Sequence, residues 1–474
     1  MFRLLAQELN SNPIRLKSIS KNGRLRLMVQ VVDEKDDVSV TKQYTYGTWR
    51  AQKGWTPREI VSAEGCYFTD ASGQRFLDFA SQLMCSNLGH GNKAVIDAIC
   101  EQAKKLPYVA PGFTTEARAR LTSALKEVMP PGLEKFFYAT SGTEANEAAF
   151  KIARLFTGKY KIISRYVSYH GSTPGSIAAT GDPRRYPIEP AGKMEGVLFG
   201  PDAYCYRCPL GLEYPDCGIA CADYIEYMIK HESNVAAVIV EPVVGANGVI
   251  VPPDEYLPRL REITEQNGVL LICDEVMTGW GRIGEWFAVN HWKVKPDILT
   301  TAKGITGAYV PLSVTATTRE ISDYFEEHYF AHGHTYEAHP LTLAPGVAAI
   351  GEYKRLNLIE RARTMGQHLG KGLKALQEKH PSIGDVRGIG LFWTLELVRN
   401  RKSREPFNSR EDKLQGKPMA VDRVAAECMK NGTYVMSWLN CMIIAPPLIV
   451  TPGQIDEGVS ALDKALALTD KEVT

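Results

Sequence analysis

Leu299-Thr300-Thr301-Ala302-Lys303-Gly304 is the stretch around which the rest of the sequence is organised. An apolar, strand-like run over residues 297–301 ends there in a small residue, a lysine and a glycine. Upstream, residues 269–276 form a second apolar run that contains Asp274 near its end. In an open α/β sheet, ligands bind beyond the carboxyl ends of the strands. The sequence therefore predicts that the Lys303 amine and the Asp274 carboxylate face one crevice.

An amine and a carboxylate in one crevice match the needs of pyridoxal phosphate. A deprotonated lysine forms an imine with an aldehyde cofactor. A buried carboxylate opposite it holds a pyridine nitrogen protonated, and this pair is what the cofactor requires. Most lysines are surface residues, so the interpretation of Lys303 depends on the other motifs of the chain.

Length and composition indicate a globular enzyme of more than one domain. A chain of 474 residues is too long for one ordinary core. Hydrophobic residues make up 44% and charged residues 23%, and the net charge of +1 gives no indication of nucleic acid or an anionic membrane as partner. The first residues lack the apolar region of a signal peptide, because Glu8 and Asn10 interrupt it. We expect a cytoplasmic enzyme.

Four of the ten cysteines are clustered in a C-x2-C-x8-C-x3-C pattern, whereas the other six are scattered in apolar or helical contexts. The clustered residues are Cys205, Cys208, Cys217 and Cys221. This spacing is compatible with a structural zinc site. A disulfide and four reduced thiols in an irregular insertion are the alternatives.

Strands and helices alternate through the middle of the chain. The predicted strands are residues 135–138, 161–164, 235–241, 269–274 and 297–301, and the helices between them are 145–156, 222–229 and 255–266. This alternation predicts an α/β fold with a mostly parallel sheet covered on both faces.

The chain divides into four predicted regions. Residues 1–43 form an N-terminal extension of unclear structure, in which 25–32 is one plausible strand. Residues 44–95 contain a hairpin and belong to the small domain, and residues 96–342 form the large domain. Residues 343–474 complete a smaller α+β domain, with a strand pair in 386–397 and a terminal helix capped by Thr451.

A phosphate site is predicted where Ser141-Gly142-Thr143-Glu144-Ala145-Asn146 follows a strand and opens a helix. Free backbone N–H groups and the helix dipole attract anions at such a position. The hydroxyls of Ser141 and Thr143 add donors. Ordinary N-capping by either hydroxyl is the alternative.

Three further strand ends supply groups for the same crevice. Tyr169 and His170 follow the strand at 161–164, and either ring has the shape to stack on a pyridine. Glu241 adds a carboxylate to the rim. Val276 points the same way as Asp274 in an extended chain, so it is placed to press on the back of the ring.

Gly279-Trp280-Gly281-Arg282-Ile283-Gly284 matches the G-x-G-x-x-G pattern of dinucleotide sites. Such a site needs a helix directly after the glycines and an acid about 20 residues on. Glu285-Trp286-Phe287 follows instead, and Asp274 would repel a pyrophosphate. The nucleotide-binding interpretation is therefore rejected.

In combination, these motifs resemble the class III aminotransferases, pyridoxal-phosphate enzymes of fold type I, from about Tyr44 to the end of the chain. The residues that carry the resemblance are Ser141 to Asn146, Tyr169-His170-Gly171, Glu241-Pro242, Asp274-Glu275-Val276, Lys303-Gly304, and Gly333 to Tyr336 with His339-Pro340.

The resemblance implies a role for each of several positions. Lys303 is similar to the Schiff-base lysine and Asp274 to the partner of the pyridinium nitrogen. Gly142 and Thr143 resemble the phosphate loop, and Tyr169 the stacking aromatic. Thr335, in the 333–336 motif, is similar to the residue that reaches the phosphate of the neighbouring subunit, which implies a homodimer or a dimer of dimers.

Departures from the family pattern narrow the expected substrate. Members that act on 4-aminobutyrate or ornithine carry a glutamate and an arginine where this chain has Ala246 and Ile443. Met84 stands where amine transaminases often place a tryptophan. Arg165, near Tyr169, is a candidate for a substrate clamp.

These features predict the ω-amino acid, taurine or amine:pyruvate branch, with a small 2-oxo acid such as pyruvate as acceptor. The alternatives are a 2-oxoglutarate-dependent aminotransferase of the same class, an aminomutase or decarboxylase, and an inactive scaffold that uses the cysteine cluster.

Overall fold

The computed structural model describes residues 36–191 and 194–474, together with one antiparallel strand pair near the N-terminus. That pair consists of β1 (Ile14–Lys21) and β2 (Arg24–Val31). β2 covers most of the stretch 25–32, in which the sequence predicts a strand. Residues 1–13, 22–23 and 32–35 of the predicted extension lie outside the described residues.

Two compact units divide the chain: residues 1–62 with 69–73, and residues 63–68 with 74–474. The first unit contains α1 (Asp37–Tyr44), whose N-cap Asp36 accepts a hydrogen bond from the Ser39 N–H at 2.8 Å. An ion pair of 2.6 Å joins Arg58 to Asp70 in the same unit. All residues of the candidate site belong to the second unit.

The remaining elements follow in chain order. The strands are β3 (Ile60–Glu64), β4 (Tyr67–Asp70), β5 (Arg75–Asp78), β6 (Leu133–Ala139), β7 (Lys161–Arg165), β8 (Val197–Gly200), β9 (Val235–Val240), β10 (Leu270–Asp274), β11 (Ile298–Thr301), β12 (Ser313–Thr318), β13 (Ile383–Ile389), β14 (Phe392–Asn400), β15 (Glu405–Pro406), β16 (Thr433–Tyr434), β17 (Met436–Trp438) and β18 (Cys441–Ile444). The helices are α2 (Ser81–Met84), α3 (Lys93–Lys105), α4 (Glu116–Val128), α5 (Gly142–Thr157), α6 (Pro174–Ala179), α7 (Ala220–His231), α8 (Tyr256–Gln266), α9 (Arg319–Glu327), α10 (Pro340–Arg355), α11 (Leu358–Lys379), α12 (Arg410–Leu414), α13 (Ala420–Lys430) and α14 (Pro452–Asp470).

A seven-stranded sheet in the order β6-β12-β11-β10-β9-β7-β8 carries the candidate site. β12 runs antiparallel to both of its neighbours, and the strands from β11 to β8 are parallel. Every residue of β9 is buried, as expected for a strand covered by helices on both faces. The predicted α/β fold with a mostly parallel sheet is confirmed.

A second sheet has the order β13-β14-β18-β17, with β15 added to β14. The hairpin β13–β14 confirms the strand pair predicted in 386–397. β16, from the C-terminal region, pairs in parallel with β5. This pairing is compatible with assigning residues 44–95 to the small domain, whose boundaries remain predictions.

β12 and α10 are among the elements near the large sheet that the sequence did not predict. β12 reads Ser-Val-Thr-Ala-Thr-Thr, which is too polar to suggest an interior strand, yet all but its last residue are buried. One polar side chain in it, Thr315, donates to the Ala145 carbonyl at 2.8 Å, so its hydroxyl is satisfied inside the core. α10 contains Pro345, which normally argues against a helix interior.

The terminal helix α14 begins as predicted. Thr451 accepts from the Gln454 N–H at 3.3 Å, and the Gln454 side chain accepts from the Thr451 N–H at 2.9 Å, which forms a capping box. Among the described residues, the helices are too short or too polar for any of them to span a bilayer.

Candidate active site

Four predicted site residues lie at the carboxyl ends of four neighbouring strands. Lys303 follows β11, Asp274 ends β10, Glu241 follows β9 and Tyr169 comes shortly after β7. These strands are adjacent in the order β11-β10-β9-β7. Asp274 pairs in register with Thr300. The sheet therefore brings the lysine and the acid to one edge, as the sequence predicts.

The Asp274 carboxylate is buried and held by three donors. Its Oδ2 accepts from Asn146 Nδ2 and from His170 Nδ1, each at 2.8 Å, and its Oδ1 accepts from the Val276 N–H at 3.1 Å. Asn146 is itself fixed, because Thr300 Oγ1 donates to its Oδ1 at 2.7 Å. The carboxylate thus has one orientation. The role of Asn146 was missed, although it lies within the quoted motif.

The Lys303 amine lies in an environment that favours its neutral form. Burial lowers the pKa of this amine, and the charge of Arg184 lowers the pKa further, whereas Cys85, Asp274 and Glu241 act in the opposite direction. A lysine of lowered pKa has a larger fraction of nucleophilic neutral amine near neutral pH.

The start of α5 forms the candidate phosphate loop. Ser141 caps the helix, and Thr143 Oγ1 accepts from the Ser172 N–H at 3.1 Å. A Cβ on Gly142 would lie 2.9 Å from two methyl groups of Val276, so only glycine permits this approach. The phosphate loop and the residue predicted behind the ring are therefore in direct contact.

Glu241 fixes the segment that carries Tyr169, the predicted stacking aromatic. Its Oε1 accepts from the Tyr169 N–H at 3.0 Å and its Oε2 from the Gly245 N–H at 2.8 Å. Burial raises the pKa of Glu241. Arg165 is buried, donates to the Glu241 carbonyl at 2.8 Å and lies 5.9 Å from the Tyr256 ring centroid. Arg165 thus contacts main chain, and its assignment as a clamp stays a prediction.

Arg184 is a site residue that sequence reasoning missed. Its guanidinium lies 3.9 Å from the centroid of the Tyr169 ring and 4.3 Å from that of Trp438. Asp182 accepts from Arg184 Nε at 2.9 Å and also from its Nη2. In the sequence, Asp-Pro-Arg-Arg resembles a solvated turn, so no local pattern identifies it.

Two other predicted residues lie at the edges of this region. Met84 is buried, with 3% of its surface exposed, whereas its neighbour Leu83 is 58% exposed. Thr335 is exposed, and its carbonyl accepts from Tyr108 Oη at 3.0 Å. The predicted contacts of Met84 with substrate and of Thr335 with phosphate therefore stay predictions.

The donor set fits pyridoxal phosphate. A helix N-terminus with two hydroxyl residues suits a phosphate, an aromatic ring suits stacking, and a fixed buried carboxylate suits a pyridinium nitrogen. Because Gly142 has no side chain, the Val276 side chain packs directly against the start of α5.

Comparison with known proteins agrees with this arrangement. The sequence model of the family "Aminotransferase class-III" matches residues 50–466. The chain belongs to the class-III aminotransferases. It is therefore a pyridoxal-phosphate-dependent transaminase of fold type I, as the sequence predicts.

Relatives of this class-III aminotransferase match over nearly their whole length. An aminotransferase of Bacillus subtilis (strain 168) is 38% identical over 426 residues, which cover 85% of this chain and 91% of the relative. The taurine–pyruvate aminotransferase of Bilophila wadsworthia is 34% identical over 456 residues, 93% of this chain and 99% of the relative. The structure of a taurine:2-oxoglutarate aminotransferase from Bifidobacterium kashiwanohense superposes with a TM-score of 0.85 at 36% identity, covering 92% and 98%.

The predicted zinc site of this aminotransferase is not supported. Among the described residues, no group of three or more His, Cys, Asp or Glu is arranged to hold a metal ion. Cys205, Cys208, Cys217 and Cys221 line one small cavity and are all free thiols. Burial raises the pKa of Cys205 and raises that of Cys221 to about 11, so both groups are protonated thiols near neutral pH when no metal is bound.

Proposed function

We propose that this aminotransferase moves the amino group of a short ω-amino acid or aminosulfonate, such as β-alanine or taurine, to pyruvate, and that Lys303 carries the cofactor. The observation that supports the proposal is the row of strand ends that places Lys303 beside Asp274, with Arg184 against the Tyr169 ring. Relatives named for taurine and pyruvate agree with it.

The local geometry supports each proposed cofactor-binding role. Ser141, Gly142 and Thr143 bind the phosphate at the start of α5, because its backbone N–H groups attract an anion there. Tyr169 stacks on the ring, with His170 and Val276 around it. When bound, pyridoxal phosphate supplies the electron sink and carries the amino group between the two substrates.

The chain's own contribution to the chemistry is to fix charge and move protons. Asp274, oriented by Asn146 and His170, keeps negative charge beside the pyridine nitrogen. Lys303 Nζ accepts the proton released from the amine-bearing carbon of the donor and gives it up later, acting as base and then acid. Its lowered pKa suits both tasks near neutral pH.

Arg184 binds the acid group of the donor in this proposal. A guanidinium is a strong partner for a carboxylate or a sulfonate. An arginine near a site that also admits uncharged molecules needs a neighbouring acid, because an unpaired buried charge is costly. Asp182 supplies that acid, since it accepts from Arg184 Nε at 2.9 Å.

The proposed acceptor is pyruvate rather than a five-carbon diacid. The positions that resemble the glutamate–arginine pair of diacid-binding members hold Ala246 and Ile443, both buried and apolar. The second candidate is 2-oxoglutarate, and the observation that favours it is Arg184 itself, whose cation is a possible partner for a distal carboxylate.

We also propose a homodimer in which Thr335 contacts the phosphate of the neighbouring subunit. Large aromatic side chains are exposed around Thr335: Tyr329 is 87% exposed and Tyr336 is 60% exposed. Nearby, His334 Nε2 and His339 Nδ1 are buried and have no partner among the described residues. An exposed aromatic surface that contains unsatisfied buried nitrogens suits a protein interface.

A substrate panel tests the proposed reaction. With taurine as fixed donor, kcat/KM for pyruvate is expected to exceed that for 2-oxoglutarate by about tenfold or more, because an unmatched distal carboxylate costs on the order of 1–3 kcal/mol. Initial rates at several concentrations of both substrates should give parallel double-reciprocal lines. If 2-oxoglutarate is preferred by tenfold, the second candidate replaces the first.

Replacing Arg184 tests its proposed contact with the donor. Arg184→Gln is expected to raise the KM for taurine by about 10-fold or more, since it removes one charged hydrogen bond. The KM for a simple monoamine should stay within about threefold of the original value. Arg185→Gln is the matched control, because Arg185 is buried next to it but packs on Phe199 and pairs with Glu189. Equal effects of Arg184→Gln on both donors would contradict the contact.

A further inference from the structure

The backbone beside Lys303 is strained over several residues. Ser81, Gln82 and Met84 have φ angles of +46°, +57° and +54°, in the left-handed region that favours glycine. Lys303 itself has φ +48°. Such conformations persist only where the surrounding structure enforces them, and they concentrate at functional sites. We call residues 81–87 the corner.

Arg282 is one of the groups that enforce the corner. It is fully buried, and its Nη2 donates to Ser81 Oγ at 3.1 Å and to Asn87 Oδ1 at 2.6 Å. Its Nη1 donates to the carbonyls of Pro446 at 2.6 Å and Leu391 at 3.1 Å. These four acceptors are neutral, although a buried cation usually pairs with a carboxylate. Burial lowers the pKa of Arg282 to about 10.

Asp78 fixes the corner from its other side. Its Oδ1 accepts from the Gln82 N–H at 2.8 Å, and its Oδ2 accepts from Gln82 Nε2 at 3.0 Å. Ser81 Oγ donates to the Ala445 carbonyl at 2.6 Å. The left-handed conformation of Gln82 is therefore stabilised through its main-chain N–H and its side chain, and that of Ser81 through its hydroxyl.

The corner presents one carbonyl to the reactive lysine. Lys303 Nζ donates to the Leu83 carbonyl at 2.7 Å. The turn that carries Lys303 also packs on the corner, since a Cβ on Gly304 would lie 2.6 Å from Asn87 Nδ2. Arg282 donates to Asn87, so it contacts the corner at the residue on which the turn of Lys303 packs.

We propose that Arg282 is a positioning residue, which holds the corner so that the Leu83 carbonyl docks the Lys303 amine whenever that amine is not attached to the cofactor. A docked amine stays within reach of the reacting carbon instead of sampling many rotamers, and such orientation contributes to rate. Arg282 lies within the Gly279–Gly284 pattern, for which the nucleotide-binding interpretation was rejected. Positioning the corner is the function that this proposal gives to that stretch. This inference rests on the proposed role of Lys303.

Reductive methylation of the cofactor-free full-length protein, read peptide by peptide, tests the docking without measuring activity. Arg282→Lys is expected to raise the methylation rate of Lys303 by about threefold or more, because an amine released from the carbonyl is more accessible. Lys371, exposed on α11, serves as the internal reference and should not change. An unchanged rate at Lys303 in a folded variant overturns the proposal.

The holoenzyme supplies the second readout and the control. Arg282→Lys should lower kcat by about tenfold or more while the KM for the donor stays within about threefold. Arg361→Lys is the matched control, because Arg361 also donates to two carbonyls, those of Ile449 and Val450, at 3.1 and 2.6 Å, but does not contact the corner. If Arg282 had a purely structural role, Arg282→Lys would lower the melting temperature and leave kcat per folded site unchanged, which is the result expected of Arg361→Lys.

A second variant and a trapping experiment make the result interpretable in every case. If Arg282→Lys does not fold, Ser81→Ala removes one acceptor of Arg282 and should raise the methylation rate of Lys303 in the same direction; no rise overturns the proposal. Borohydride trapping of the cofactor is run on every variant. A trapped label away from Lys303 refutes the proposed function, whereas a label on Lys303 with unchanged methylation and kcat refutes only the docking.

Discussion

Lys303→Ala is expected to bind pyridoxal phosphate yet lower kcat by at least about 10⁴-fold, the upper range for loss of a positioned acid–base group. The variant loses both the amine that attaches the cofactor and the base that takes the proton from the donor carbon. The cofactor should still bind, because the proposed phosphate loop at Ser141–Thr143 and the proposed ring contact of Tyr169 remain. Single-turnover absorbance with taurine, together with a cofactor-binding titration, measures both effects.

Lys371→Ala serves as the control for Lys303→Ala. Lys371 is exposed on α11, and its replacement should leave kcat and cofactor affinity unchanged. Residual turnover above about 10% in Lys303→Ala would contradict the assignment.

Asp274→Asn is the second large effect. The variant should keep its fold and lower kcat by about 10²-fold or more, since it removes a charge directed at the charge that develops in the transition state. Asparagine retains the shape of the side chain but has only one acceptor oxygen, whereas Asp274 uses both: Oδ2 accepts from Asn146 and His170 at 2.8 Å, and Oδ1 accepts from the Val276 N–H at 3.1 Å. Steady-state kinetics and the absorbance of the bound cofactor against pH check this expectation.

Asp297→Asn is the matched control, because Asp297 lies at the opposite end of β11 and accepts from Arg261 at 2.7 Å. Its loss should affect stability more than kcat. Near-normal turnover by Asp274→Asn would show that ring protonation does not depend on Asp274.

Much of the candidate site can be predicted from the sequence, because most of its residues lie at the carboxyl ends of strands. Parallel strands with buried faces are continuous apolar runs, as in Val235–Val240, and their ends are visible where a charged or small residue follows. The positions of Lys303, Asp274 and Glu241 at one edge then follow from the rule that such strands share a direction. The helix start proposed to bind phosphate was likewise identifiable, since Ser141 caps a helix that follows a strand.

Other parts of the site depend on tertiary contacts that no local pattern encodes. Arg184 contacts Tyr169, which is close in sequence, and Trp438, which is distant in sequence. The Asp-Pro-Arg-Arg stretch alone therefore does not predict that Arg184 is enclosed by other side chains. Arg282 belongs to a glycine pattern that suggested a different ligand, and its acceptors come from three distant segments. Cys205 and its neighbours have a spacing compatible with zinc, but spacing does not determine how side chains are arranged in space, and no group of ligating side chains suited to a metal is found among the described residues.

The most direct test of the central claim is to reduce the purified holoenzyme with borohydride and map the modified peptide by mass spectrometry. Reduction fixes the cofactor to the lysine that carries it. We expect one label per chain, on Lys303, and loss of that label in the Lys303→Ala protein. A label on any other lysine, or a labelled peptide that persists in Lys303→Ala, would contradict the account.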